Sequence, residues 1–129
     1  MLLKEAIALA NTLLTGNPAP DGQEDPRWQA VIEVGKYIET DPEPVWQLVL
    51  QWGSHSQSDL RDAIATCLLE RLLECHFQSL FPRVPAQAQL DPAVADTVRR
   101  CWKFGQAAES RNAARFDALL QELAAGPAA

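Results

Sequence analysis

Residues 58–77, SDLRDAIATCLLERLLECHF, hold the longest helical pattern in the chain. Apolar residues recur there every three or four positions, which places them along one face of an α-helix. We predict a long buried helix that begins at Ser58 and ends by Phe81, because Pro82 disfavours helical geometry in the residue before it. Its core stripe contains Leu60, Ile64, Cys67, Leu68, Leu72 and Phe77.

Other helices are predicted on both sides of this stretch. An aspartate directly before a proline marks three of their starts, at Asp25, Asp41 and Asp91. The aspartate can accept hydrogen bonds from the free amides of the first turn, and proline is tolerated there because its missing N–H has no intrahelical partner. With a first helix over residues 2–14 and a last one from Ser110, the pattern predicts an all-α fold of about six helices. The helix that opens at Asp91 is expected to run through Trp102, with Gly105 as its cap.

Two loops and a tail complete the predicted organisation. One loop runs from Gly16 to Glu24, and the other is an extended crossover from Pro82 to Leu90, which contains two prolines. Residues 125–129, rich in Ala, Gly and Pro, are expected to fray. Because 129 residues suffice for one hydrophobic core but not comfortably for two, we predict a single domain over residues 1–129.

Three of the predicted helix starts, Asp25, Ser58 and Asp91, are each 33 positions apart. Periods of this size are typical of stacked helical hairpins. Residues 25–30, DPRWQA, and residues 59–65, DLRDAIA, resemble the start of the second helix of HEAT repeats. In that family an acidic or proline turn precedes an apolar residue, an arginine and a small residue that lets adjacent repeats pack.

The likeness to HEAT repeats covers mainly residues 25–77, about 40% of the chain. It implies an irregular, compact stack of antiparallel helical pairs, with a helical face that binds proteins or, in some relatives, nucleic acid. The third unit departs from the family pattern, since the segment from Pro82 to Leu90 stands where its first helix would be.

The composition narrows the classes of function. With 47% hydrophobic and 22% charged residues, the chain is typical of globular proteins. Its formal net charge of -6 disfavours a surface that holds phosphates, because such surfaces usually carry a basic stripe. The sequence shows neither the pattern of a signal peptide nor an apolar run long enough for a membrane helix. We therefore expect a cytoplasmic protein without membrane contact.

The residues that most often carry catalysis or bind metal are not arranged for either role. Cys67, Cys75 and Cys101 lack CxxC spacing and fall in apolar patterns, so we expect reduced thiols rather than disulfides or zinc ligands. Cys75 and His76 are adjacent, and adjacent helical residues point about 100° apart, which disfavours a nucleophile–base pair. We expect no catalytic residue, no metal and no cofactor.

The acidic residues of the long helix could in principle supply an acid and a base. They alternate with arginines, however, which is typical of a solvated charged face. The carboxylates concerned are Asp59, Asp62, Glu70 and Glu74.

One basic cluster with two neighbouring aromatic residues, Trp102 and Phe104, is the best candidate for a binding surface. Arginine beside aromatic residues can hold phosphates and stack on bases, although cations at a helix C-terminus also offset the helix dipole. Tryptophan and arginine are likewise enriched in protein–protein hot spots. The residues that we predict to bind a partner are Arg61, Arg99, Arg100, Trp102 and Lys103.

The predicted function is a non-catalytic protein-interaction module with a protein partner, such as an inhibitor, an immunity-type protein or a subunit of a complex. The alternative is a shortened relative of the HEAT-like DNA glycosylases for alkylated bases. Such an enzyme needs a basic concave groove and an acidic catalytic residue beside aromatic side chains. Nucleic acid is not favoured because the chain is acidic, and self-association through helix edges stays open.

Overall fold

The computed structural model describes residues 1–125, and all regular secondary structure in that range is helical. A π-helical segment, Ala65–Leu69, joins α4 to α5, a 3₁₀ segment, Phe81–Arg83, joins α6 to α7, and a second 3₁₀ segment, Gly105–Ala108, precedes α9. The helices are α1 (Leu3–Leu13), α2 (Pro26–Gly35), α3 (Pro42–Trp52), α4 (Ser58–Ile64), α5 (Glu70–Cys75), α6 (Phe77–Leu80), α7 (Val84–Leu90), α8 (Pro92–Arg99) and α9 (Ser110–Ala125).

The all-α prediction is confirmed. If joined segments are counted once, residues 1–125 form seven helices in a compact stack, close to the six that the sequence predicts. None of these helices is long and apolar enough to span a membrane. The fraying predicted for residues 125–129 falls outside the described residues except for Ala125, which is the last residue of α9.

The Asp-Pro pairs begin helices for local reasons. The side chain of Asp25 accepts a hydrogen bond from the N–H of Arg27 at 2.9 Å, and that of Asp91 accepts one from the N–H of Ala93 at 2.9 Å. In both cases the next residue is a proline in the first turn of the helix. These caps satisfy amides that the helix itself cannot pair, so α2 and α8 begin where the sequence predicts.

The extended crossover predicted from Pro82 to Leu90 is wrong. The segment is helical, and both of its prolines lie in the first turn of a helical segment. The fixed φ of proline suits a helix, and the two prolines lie where the run changes from α6 to the 3₁₀ segment and from that segment to α7. Val84 and Ala88, one turn apart, are buried, and α7 packs against α8. A helix, α7, therefore stands where the sequence predicts an extended segment.

The helix predicted to run through Trp102 is also shorter than expected, because α8 ends at Arg99. The N–H of Trp102 binds the carboxylate of Glu70 at 2.9 Å instead of a carbonyl of its own helix. Gly105, the expected cap, begins the next segment with a φ of 52°. A Cβ there would lie 2.9 Å from the carbonyl oxygen of Glu74, so the close approach to α5 requires glycine.

The apolar faces of the helices meet in one hydrophobic core. Helix α1 packs against α2, and α3 packs against α4 and the π segment. Gly35 of α2 allows a close crossing with the π segment, since a Cβ there would lie 3.1 Å from the carbonyl oxygen of Cys67. The side chain of Cys67 lies at the edge of the core, half-buried. The other predicted stripe residues, Leu60, Ile64, Leu68, Leu72 and Phe77, are fully buried.

Candidate functional site

Three of the five predicted binding residues, Arg61, Arg100 and Lys103, form ion pairs with aspartates of the chain. The Nε atoms of Arg61 and Arg100 each lie 2.8 Å from the same carboxylate oxygen of Asp96 in α8. Arg61 also donates through Nη1 to the carbonyl oxygens of His55 and Ser56, both at 2.9 Å. These contacts leave the side chain of Arg61 only 16% exposed. Arg61 therefore connects α4 to α8, and Arg100 stabilises the same contact.

A second arginine makes the equivalent connection between α2 and α4. Arg27 is 2% exposed, pairs with Asp25 in front of its own helix, and reaches Asp59 in α4. Its Nη1 atom donates to the side-chain oxygen of Gln57 at 2.9 Å. Arg27 and Arg61 thus each bind an aspartate of a later helix, 32 and 35 residues along the chain. We call the pairs Arg27–Asp59 and Arg61–Asp96 the arginine ladder.

Hydrogen bonds from the arginines of the ladder lower the pKa of two aspartates, Asp25 and Asp96. Hydrogen bonds from the side chain of Arg27 lower the pKa of Asp25. Burial of Asp96 favours its neutral form, but the hydrogen bonds from Arg61 and Arg100 outweigh burial and lower the pKa of Asp96. Among the described residues, no buried side-chain nitrogen or oxygen lacks a hydrogen-bond partner. The ladder is therefore a satisfied structural network.

The segment after α8 exposes two large aromatic side chains. Trp102 is 74% exposed and Phe104 is 48% exposed. The backbone at Trp102 is tied to Glu70, and Lys103 forms an ion pair with Asp117 of α9. The segment that carries the aromatic residues therefore contacts α5 through Glu70 and α9 through Asp117. We call Arg99, Trp102, Lys103 and Phe104 the aromatic face.

Glu70 supports the aromatic face from α5. Burial raises the pKa of Glu70, and the hydrogen bond from the N–H of Trp102 offsets part of this effect. Only the backbone of Trp102 is bound in this way, so its indole ring remains exposed to solvent. Glu70 thus positions the tryptophan without covering it.

Charge is distributed unevenly along the chain. Residues 1–60 contain three Lys or Arg against nine Asp or Glu, so they account for the whole net charge of -6. Residues 97–125 contain five Lys or Arg against three Asp or Glu. Arg99 is exposed and has no ion pair within residues 1–125. The aromatic face therefore belongs to the most basic part of an acidic chain.

The cysteines do not form an activated nucleophile. All three are free, and burial raises the pKa of the Cys67, Cys75 and Cys101 thiols. Because the thiolate is the reactive form, a raised pKa lowers the reactivity of a thiol at neutral pH. The Nε2 atom of His76 lies 2.8 Å from the carbonyl oxygen of Ile38, so this hydrogen bond occupies it. In the part of the chain that the structure describes, no three His, Cys, Asp or Glu side chains are grouped to hold a metal.

Phe104, which the sequence places near the basic cluster but which is not among the predicted binding residues, is a second exposed ring two residues after Trp102. The backbone at Phe104 is extended, with φ -127° and ψ 158°. The position of Phe104 two residues after Trp102, next to the basic cluster, was the signal in the sequence. Of the other tryptophans, Trp46 is buried, and Trp52 is half-buried with its Nε1 donating to Asn11 at 2.8 Å.

Comparison with known proteins gives no relative from which a function could be read. No protein-family model, no curated protein and no solved structure matches the chain. The resemblance to HEAT repeats stays a prediction from residues 25–30 and 59–65.

Proposed function

We propose that the protein is a non-catalytic protein-interaction module whose binding surface is the aromatic face. The exposure of Trp102 carries the proposal, since 74% of this side chain is in water. Burying a large apolar side chain gains about 1.5–3 kcal/mol, and tryptophan is among the residues most enriched in hot spots. Because the hydrogen bond to Glu70 holds the backbone at Trp102, a partner meets a partly preorganised surface and loses less conformational entropy in binding it.

The charges of the aromatic face define the chemistry of its partner. Arg99 has no ion pair in the described range, and residues 97–125 carry more cations than carboxylates. A protein that offers an apolar pocket with carboxylates at its rim would complement this face. We therefore propose an acidic protein surface as the partner, with the chain acting as an inhibitor, an immunity-type protein or a subunit of a complex.

The scaffold beneath the face is proposed to be a HEAT-like stack. Three helical pairs, α1–α2, α3–α4 and α7–α8, follow one another, and the ladder joins the second helix of each pair to the next. The arginines Arg27 and Arg61 come from the two stretches that resemble the HEAT pattern. A rigid stack of this kind supports recognition by shape rather than by conformational change.

The alternative, a shortened DNA glycosylase relative, receives less support from the geometry. Arg61, Arg100 and Lys103 are bound to aspartates of the chain, which leaves fewer cations to hold phosphates. Glu70 lies beside Trp102 with a raised pKa, but its carboxylate accepts the N–H of that residue. A phosphate-binding groove requires several accessible cations, so we favour the protein partner.

Affinity purification from the native host, followed by binding measurements with the purified partner, tests the proposed function. Tagged native protein is compared with Trp102→Ala and with Leu90→Ala, a matched control because Leu90 is 81% exposed at the end of α7. We expect one protein to co-purify with the native chain and with Leu90→Ala, and to be lost with Trp102→Ala. Equal recovery with all three proteins would place the interface elsewhere.

A titration with duplex DNA separates the two classes of partner. We expect no binding at about 0.15 M salt, because the cations available on the face are few. Binding that persists at this salt concentration and is abolished by Arg99→Glu would favour the nucleic-acid alternative and contradict the proposal.

A further inference from the structure

An open apolar groove of about 530 Å³ lies between α1 and α2, on helices separate from those that carry the aromatic face. Its volume is within the range of ordinary ligand sites, about 300–1,000 Å³. Leu9 of α1 is 41% exposed at the groove, and it is not among the residues that pack against the core. The apolar lining consists of Met1, Leu9, Leu13, Pro26 and Ala30.

The polar lining of the groove is acidic. Glu24, just before α2, and Glu33, near its end, are the charged side chains in the lining, which contains no Lys or Arg. Lys36 pairs with Glu33 at 2.7 Å, but this pair is at the surface and a competing cation can displace it at little cost. The charge of Arg27 is taken up by Asp25 and Asp59. An occupant is therefore favoured when it carries positive charge.

The shape of the groove favours a helical occupant. Pro26 and Glu33 are seven residues apart on α2, a rise of about 10 Å, which matches two turns of a second helix. Two turns carry apolar anchors at positions i, i+3, i+4 and i+7 on one face. An extended peptide would find no strand edge in residues 1–125 to receive its backbone hydrogen bonds, whereas a helix pairs its own.

We infer that the groove between α1 and α2 binds a short amphipathic helix of another protein, with an apolar face flanked by Lys or Arg. Charge complementarity identifies this partner, because the charged side chains that line the groove, Glu24 and Glu33, are both acidic. The groove and the aromatic face have opposite electrostatic preferences. The chain would thus have two interaction surfaces for two kinds of partner, and the groove does not depend on the function proposed for Trp102.

A designed peptide probes the groove directly. The probe is a fluorescein-labelled peptide of about 16 residues, with leucines at one helical face and lysines elsewhere, long enough to be partly helical in water. A control peptide has glutamates in place of the lysines. Fluorescence anisotropy at about 0.15 M salt should give a micromolar Kd for the lysine peptide and no binding of the glutamate peptide.

A pair of leucine variants separates docking from diffuse attraction between charges. Leu9→Glu places a carboxylate in the groove, and Leu90→Glu places the same group on another exposed leucine. Each change adds a negative charge, so diffuse attraction would strengthen peptide binding in both. We expect Leu9→Glu to weaken binding by about tenfold or more, while Leu90→Glu and Trp102→Ala bind as the native chain does. Circular dichroism checks that the variants fold.

A second variant tests the acidic rim without disturbing the apolar lining. Glu24→Gln combined with Glu33→Gln should raise the Kd severalfold and reduce its dependence on salt, because two charges are removed from an exposed site.

Equal effects of Leu9→Glu and Leu90→Glu, or equal binding of the two peptides, would overturn the inference. So would sedimentation showing that the chain dimerises and that Leu9→Glu makes it monomeric, since the occupant would then be a second copy.

Discussion

The arginine ladder and the aromatic face use the same kind of residue in opposite surroundings. Arg27 is 2% exposed and contacts two carboxylates, whereas Arg99 is exposed and has no ion pair within residues 1–125. The difference follows from the neighbouring helix, which offers Asp59 to Arg27 and nothing comparable to Arg99. An arginine close to a tryptophan is therefore a binding candidate only when no carboxylate of the chain has already engaged it.

The largest effect is expected from breaking the ladder at its buried end. Arg27→Met removes the cation between Asp25 and Asp59, and disrupting a buried pair by removing one partner costs about 3–5 kcal/mol. Because Asp59 is partly exposed, we expect about 3 kcal/mol in the free energy of unfolding, measured with urea. The matched change Arg99→Met should alter this free energy by less than about 0.5 kcal/mol. A similar loss of unfolding free energy in both variants would contradict the claim that the ladder is structural and the aromatic face is not.

A smaller loss of stability is expected at the second pair of the ladder, Arg61–Asp96. Asp96→Asn weakens the bonds to Arg61 and Arg100, and hydrogen bonds to charged groups contribute about 1.5–3 kcal/mol each when removed cleanly. We expect a loss of about 2 kcal/mol because both arginines remain partly solvated. A double-mutant cycle for Arg61 and Asp96 should give a coupling of about 1 kcal/mol.

The exposed ion pair of the aromatic face provides the control for that cycle. Lys103 and Asp117 are 33% and 52% exposed, so their coupling should be below about 0.5 kcal/mol. A stronger coupling there than at Arg61 and Asp96 would contradict the assignment of the ladder as the structural element.

The ladder also predicts how stability depends on pH. The pKa values of Asp25 and Asp96 are lowered from the ordinary 3.8, so the unfolded chain binds protons at these groups before the folded chain does. Their contribution is fully present above about pH 5 and is lost as the pH falls through the lowered folded values. Urea unfolding at pH 7 and pH 3 should show a smaller acid loss for Asp96→Asn than for the native chain. An unchanged acid loss would mean that Asp96 is not the responsible group.

The titration of Glu70 should change the stability of the protein with pH in the opposite direction. Burial raises its pKa above the ordinary 4.5, so the folded chain holds this proton more tightly and the contribution to stability falls as the pH rises through the folded value. Relative to the native chain, Glu70→Gln should therefore gain stability between pH 4 and pH 7 from this titration, less the value of the lost hydrogen bond to Trp102. The measurement is the free energy of unfolding of both proteins at several pH values. If the native chain gained stability relative to Glu70→Gln as the pH rises, the burial of Glu70 would be contradicted.

The smallest effect on stability is expected at the exposed ring. Trp102→Ala removes a side chain that is 74% exposed, so the free energy of unfolding should change by less than about 0.5 kcal/mol. Binding of the partner should fall by about thirtyfold or more, the loss that corresponds to a hot spot of about 2 kcal/mol. Calorimetric titration with the purified partner checks the affinity, and a destabilised variant would show that the ring has a structural role instead.

Local signals explain what could be predicted from the sequence. Asp25 and Asp91 cap their helices through residues two positions away, so the starts of α2 and α8 could be predicted without knowing the fold. The helix at Val84–Leu90 was missed because a proline at the start of a helix and a proline in a loop look alike in a single sequence.

Contacts between distant residues explain what could not be predicted. Whether Arg61 faces solvent depends on Asp96, 35 residues later, and the end of α8 depends on Glu70, 32 residues before Trp102. The composition of the basic cluster was visible in the sequence. Which of its cations are bound within the fold and which are exposed depends on how α4, α5 and α8 pack.

Site-specific photo-crosslinking in the native host tests most directly whether the aromatic face binds a protein. A photoreactive phenylalanine replaces Trp102 in one variant and Leu90, which is 81% exposed, in the comparison. We expect a discrete protein adduct at position 102 and none of that mass at position 90. Identical adducts at both positions, adducts with nucleic acid, or no adduct at position 102 would contradict the proposed function.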